Sequence, residues 1–147
     1  MNAPSLGYAD ARDAQTGSGE TAATILLVED EPTIRGMAGM YLERNGYCVI
    51  PAADGVEAMT LWEKHENEID LVLTDLMMPG DVNGQQLVQR LREDRPNVKA
   101  IFMSGYTSDL LDEKTFLGRN ANFLPKPYRL NRLAAMVEDC LGRQKAA

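Results

Sequence analysis

Short apolar runs alternating with stretches of helical spacing constrain this chain more than any other feature. The runs are Ile25-Leu26-Leu27-Val28, Tyr47-Cys48-Val49-Ile50, Leu71-Val72-Leu73, Ala100-Ile101-Phe102-Met103 and residues 121–124. Each is apolar on both parities, the pattern of a strand covered on both faces of a parallel sheet. Between them apolar residues step by three and four. Ile34, Met37, Ala38, Tyr41 and Leu42 follow Pro32 at a helix start, with Gly46 as the stop. Ala58, Leu61, Trp62 and His65 repeat the spacing, as do Leu87, Val88 and Leu91 before Pro96, and Leu130, Leu133, Ala134, Val137 and Leu141 before Gly142. A ragged stripe over 107–117 predicts one more helix. Strand and helix thus alternate five times, which demands crossover connections, a five-stranded parallel sheet and helices on both faces: an α/β, doubly wound fold.

The 147 residues suit one domain. Residues 1–23, rich in Gly and Ser and without a period, read as a flexible arm, 24–142 as the folded domain and 143–147 as a tail. Gly17-Ser18-Gly19-Glu20-Thr21-Ala22 spells a dinucleotide-binding fingerprint, but it precedes the first strand instead of following it, so no nucleotide cofactor is expected. A net charge of -7 gives no electrostatic reason to bind nucleic acid. The two cysteines, Cys48 and Cys140, lack metal-ligand spacing and read as reduced core thiols. With no signal peptide and no spanning apolar run, a cytoplasmic protein without membrane contact is expected.

Functional information lies in what terminates each strand. The first ends in Glu29-Asp30, the third in Asp75, the fourth in Ser104 and the fifth, after Pro125, in Lys126. In a doubly wound sheet these carboxyl ends border the ligand crevice, so the five side chains should converge. Three carboxylates about 4–6 Å apart repel by roughly 10 kcal/mol in total at an effective dielectric near 20, comparable to a domain's stability. A hard divalent ion, Mg²⁺ or Mn²⁺, answers that repulsion, because such ions favour carboxylates, a backbone carbonyl and retained water. The bland alternative is that Glu29 and Asp30 are the solvated acidic start of a helix. An Asp beside a metal and a lysine can attack phosphorus to form an acyl phosphate, with Ser104 donating a hydrogen bond. A phosphatase of the haloacid dehalogenase type shares that nucleophile but needs a second Asp two positions on, where this chain has Met77. A flavodoxin-like flavin site would want Ser and Thr where Glu29-Asp30-Glu31 stand.

At these residues the chain resembles the receiver domain of two-component response regulators over about residues 24–141. The resemblance is carried by Leu26-Leu27-Val28-Glu29-Asp30-Glu31, by Asp75 followed by Met78-Pro79-Gly80 and Asn83-Gly84, by Met103-Ser104-Gly105-Tyr106, and by Phe123-Leu124-Pro125-Lys126-Pro127. The wording of the last two is most like receivers fused to hybrid histidine kinases. It implies a flavodoxin-like fold with strand order 2-1-3-4-5. It also implies that Asp75 accepts a phosphoryl group from a histidine kinase or a His-containing phosphotransfer domain. Asp30, Asp75 and the Met77 carbonyl would hold the metal, with Glu29 acting directly or through water. Ser104 and Lys126 would bind the phosphoryl oxygens, and Phe123 would turn inward as Ser104 moves, altering the surface of the fourth helix, fifth strand and fifth helix. The expected product is a signalling switch, a monomer or weak dimer, and not a turnover enzyme.

Against that family's pattern, Glu29 is longer than the usual Asp, Phe123 lacks the hydroxyl of the commoner Tyr, and the loop from Asp75 to Gly84 is one residue longer than in chemotaxis-type members. Met77 and Tyr106 occupy positions that tune dephosphorylation. Elsewhere bland readings hold: His65 is structural, Met37, Met40 and Met59 fill the core, Arg129 and Arg132 form a solvated face, and Lys126-Pro127 is a candidate cis peptide.

Overall fold

The structure, a computed structural model, describes residues 22–78, 80–105 and 121–142. Expectations for the arm over 1–21 with most of its fingerprint, for Pro79, for Tyr106, for the helix over 107–117 and for the tail over 143–147 lie outside the described residues. Five strands, β1 (Thr24–Val28), β2 (Cys48–Ala52), β3 (Ile69–Asp75), β4 (Lys99–Ser104) and β5 (Ala121–Pro125), form one sheet. All four pairings are parallel and the order is β2-β1-β3-β4-β5, as expected. The described helices are α1 (Pro32–Arg44), α2 (Gly55–His65), α3 (Gly84–Asp94) and α4 (Leu130–Leu141).

Strand residues divide by parity between two cores. Leu26, Val28, Ile50, Val72, Ala100 and Phe102 pack with Ala58 and Trp62 of α2 and with Leu87 and Leu91 of α3. Ile25, Leu27, Val49, Leu71, Leu73, Ile101 and Leu124 pack with Ala38 and Leu42 of α1 and with Leu133 and Val137 of α4. Apolar faces on both sides are what make the strands read as unbroken runs.

Helix ends follow local chemistry. Pro32 opens α1, whose N-cap Glu31 accepts the Thr33 N–H at 2.9 Å. Asp54 caps α2, and Asn83 with Gln86 forms a reciprocal capping box on α3. Gly142 closes α4 in the left-handed region at φ 67°. The Lys126-Pro127 peptide is cis.

Two readings need correction. Met37 and Met40 are not core filler: they are 54% and 55% exposed, because α1 buries only the narrower stripe Ala38, Gly39 and Leu42. Cys48 is a buried free thiol, but Cys140 is only half-buried, with its Sγ accepting from Asn122 Nδ2 at 2.8 Å. His65 sits at the end of α2 with Nδ1 3.2 Å from Glu68 Oε1, consistent with a structural role.

Candidate functional site

Two neighbouring parallel strands, β1 and β3, deliver the acidic residues to one edge. Glu29 follows β1 directly, its N–H donating to the Ala52 carbonyl at 3.1 Å, which extends the β1–β2 ladder by one rung. Its side chain is 1% exposed, too enclosed for a solvated loop acid. Oε2 accepts the Glu31 N–H at 3.1 Å, and Arg35 from the first turn of α1 donates to the Glu29 carbonyl at 2.7 Å. Asp75 ends β3 and is 5% exposed. Asp30 is the most solvent-open of the three. One carboxylate oxygen from each of Glu29, Asp30 and Asp75 lies within 4.8 Å of the others.

Lys126 arrives from the neighbouring strand end. Pro125 pairs with Ser104, and the Lys126 N–H donates to the Ser104 carbonyl at 2.8 Å, fixing the backbone from which the side chain reaches. Its ammonium bridges two carboxylates, 2.7 Å from Asp75 Oδ1 and 3.1 Å from Glu29 Oε1. The longer Glu29 side chain therefore stays at the cluster and spends one oxygen on the lysine. Ser104, 4% exposed, lies at the same edge, one residue beyond the Met103 that pairs with Asp75. Met77 lies two residues past Asp75 in the turn leaving β3, with its side chain 60% exposed.

Phe123 is in register with Phe102, and their rings stack with centroids 5.6 Å apart and planes at 26°. The ring is thus already packed against the α2–α3 core, and any motion toward Ser104 starts from that contact.

The electrostatics follow from enclosure. Burial pushes the Asp75 carboxyl up to about 7, helped by the Glu29 charge and an Asp30 hydrogen bond and opposed by the hydrogen bond and charge of Lys126. For Lys126 burial disfavours the charge, but hydrogen bonds and attraction from Asp75 and Glu29 outweigh it, so its pKa rises. The Tyr128 hydroxyl is also raised, first by burial, then by the charges of Glu29 and Asp75.

Among the described residues, three carboxylates against one ammonium leave a formal charge of -2 once Asp75 is ionised, on hard oxygen donors of the kind a small divalent cation prefers. Asp75 has an enclosed carboxylate within reach of both a cation site and a fixed ammonium, which suits a nucleophile whose product bears extra negative charge.

Three contacts were not legible in the sequence, although Gly84 itself belongs to the Asn83-Gly84 motif. Arg35 braces Glu29 as described, the buried Thr74 hydroxyl donates to the Asp75 carbonyl at 2.9 Å, and Gly84 lies against that same carbonyl. No local pattern announces them, since each depends on a contact between elements or on a side chain bonding the next residue's backbone.

A family model described as the response regulator receiver domain matches residues 25–138. The sensor kinase CckA of Brucella abortus (strain 2308) is 40% identical over 123 residues, covering 84% of this chain; the chain spans 13% of that protein's length. Among solved structures, the receiver domain of the hybrid histidine kinase CckA is similar with a TM-score of 0.69 at 35% identity, covering 81% of this chain and 99% of that one. The response regulator TrrA of Thermotoga maritima, solved in complex with Mg(2+)-BeF, gives a TM-score of 0.71 at 27% identity, covering 81% and 99%.

Proposed function

Because this chain belongs to the response regulator receiver family, the phosphoacceptor modules of two-component signalling, we propose that Asp75 is its acceptor and that a phosphohistidine of a histidine kinase or phosphotransfer domain is the donor. The observation that carries this reading is the bridge from Lys126 to Asp75 and Glu29, at 2.7 and 3.1 Å, inside a triad of carboxylates. A carboxylate oxygen of Asp75 attacks phosphorus in line, the P–N bond to the donor imidazole breaks, and an acyl phosphate forms on Asp75. Lys126 leaves the carboxylate oxygen it now holds and pairs with a phosphoryl oxygen, while the Ser104 hydroxyl donates to another.

Mg²⁺ or Mn²⁺ fits the donor set: Asp30, Asp75 and the Met77 carbonyl would hold it, with Glu29 binding directly or through water. When bound, it supplies neutralisation of charge on the transferring phosphoryl oxygens. TrrA, 27% identical to this chain, was crystallised with Mg(2+)-BeF, in line with such a site.

The module is a switch and not a turnover enzyme, since Met77 stands where an aspartyl phosphatase needs an acid/base. Its output passes through Ser104 to Phe123 and the surface around β5 and α4. A cytoplasmic setting fits, as no helix among the described residues is long and apolar enough to cross a membrane. The formal net charge of -7 disfavours direct nucleic-acid binding.

Incubation with Mg²⁺ and beryllofluoride tests the reading. Backbone amide resonances near Ser104 and Phe123 should shift in the wild type and stay put in Asp75→Asn; an undiminished response in that variant would remove Asp75 from its role.

A further inference from the structure

The Asp75 carbonyl is held from two sides. On one, the Thr74 hydroxyl, 0% exposed, donates to it at 2.9 Å. On the other, Gly84, the first residue of α3, sits so close that a Cβ there would overlap the Asp75 carbonyl oxygen and stand 3.0 Å from the Leu76 Cα. The Gly84 N–H donates to the Leu76 carbonyl at 3.0 Å, and the capping box of Asn83 and Gln86 fixes the helix start. From the sheet side, the Leu76 N–H donates to the Met103 carbonyl at 2.8 Å. The peptide that carries the acceptor side chain is therefore packed against the start of a capped helix.

We propose that Gly84 and Thr74 are positioning residues for phosphoryl transfer: by clamping the Asp75 carbonyl between the start of α3 and a buried hydroxyl, they set where the acceptor carboxylate meets Lys126 and the metal. The proposal rests on Asp75 being the acceptor. Neither residue touches the phosphoryl group; both act through the backbone of Asp75. Backbone contact leaves little slack, because the atoms that a Cβ would strike at Gly84 are main-chain atoms of Asp75 and Leu76 and not the tip of a flexible side chain. Relieving the overlap requires a shift on the order of 1 Å, and a misplacement of that size costs roughly 100-fold in rate. At Gly36, in α1, no atom lies within 4 Å of an added Cβ, so the constraint is particular to its place in the fold.

The test uses the full chain with acetyl phosphate and saturating Mg²⁺, reading the initial phosphorylation rate per folded molecule well below each variant's melting temperature. Gly84→Ala should slow the reaction about 100-fold. Thr74→Val, which keeps the shape and loses the hydroxyl, should slow it about fivefold, the equivalent of one hydrogen bond. Leu91→Ala, which opens a cavity at the far end of the same helix, should lower the melting temperature and leave the rate within twofold of wild type. Should Gly84→Ala fail to fold, Thr74→Val decides: a slowed rate supports the assignment and an unchanged one overturns it. A folded Gly84→Ala within twofold of wild type overturns it as well, as does a Leu91→Ala slowed as much as Gly84→Ala. A wild-type chain that takes no phosphoryl group overturns the acceptor reading itself, and the assignment with it.

Discussion

Replacing Lys126 with Met removes the cation that, among the described residues, bonds both Asp75 and Glu29, while keeping most of the stem's volume. The bridging distances of 2.7 and 3.1 Å correspond to about 6 and about 5 kcal/mol of gross attraction at an effective dielectric near 20. Three carboxylate pairs at up to 4.8 Å repel by at least about 3.5 kcal/mol each on the same scale, about 10 kcal/mol together. In the metal-free pocket the lysine thus nearly balances the acids, and deleting it leaves the repulsion unopposed. Uptake of a proton by Asp75, already near 7, caps the loss. We expect a net destabilisation of about 2–4 kcal/mol near pH 8, somewhat under the cost of breaking a fully buried ion pair because the Lys126 side chain is 24% exposed, or a melting temperature lower by roughly 10 °C. The pH dependence has a definite sign. In Lys126→Met the Asp75 pKa climbs further, and a raised acid pKa gives stability that is full at low pH and lost as pH rises through the folded value. The deficit should therefore shrink toward pH 5 and widen toward pH 8, and Mg²⁺ should narrow it by supplying the missing positive charge. Thermal melts by circular dichroism at both pH values, with and without Mg²⁺, decide. A melting temperature unchanged by the substitution, or a deficit independent of pH, would refute the charge balance.

Asp75 and Asp30 respond to the same balance of charge. Asp75→Asn keeps a neutral group where the fold favours one: the wild type loses stability as pH rises from about 4 to about 7, the variant does not, so it should be more stable by about 1–3 kcal/mol near pH 8 and equal near pH 4 in denaturant titrations without metal. Equal stability at both pH values would count against an enclosed, disfavoured carboxylate. Asp30→Asn relieves repulsion without breaking either Lys126 bridge, so the apo melting temperature should rise while Mg²⁺ affinity by calorimetry falls at least about tenfold, as for loss of one charged ligand; a lower apo melting temperature would contradict the crowding of the three acids.

Strand placement and the acidic cluster were legible because both depend on local order. A parallel strand buried on two faces is mostly apolar, and Glu29, Asp75, Ser104 and Lys126 stand out as the charged or polar groups at which the runs stop, although the buried Thr74 precedes Asp75 and Asn122 lies within β5. The start of β3 was harder to read: Asp70 interrupts the run, yet it belongs to the strand and its Oδ2 accepts the Thr24 N–H at 2.8 Å. Spacing likewise does not reveal how wide a stripe α1 buries, which depends on its tertiary neighbours, so it assigns Met37 and Met40 to the core although both are exposed. Tertiary contacts of Gly84, Thr74 and Arg35 leave no periodic trace. Trp62 illustrates the same limit: its helical spacing predicts a core ring, but not that its Nε1 donates to Asp94 at 3.0 Å or that the Arg95 guanidinium lies 5.0 Å from its centroid.

The most direct test is chemical mapping of the acceptor. After reaction with acetyl phosphate and Mg²⁺, borohydride reduces an acyl phosphate to an alcohol, and peptide mass spectrometry locates the converted residue. The account predicts one phosphoryl group per chain and conversion of residue 75 to homoserine, absent when Mg²⁺ is chelated; a stable phosphoryl group elsewhere, or conversion at Asp30 or Glu29, would contradict it.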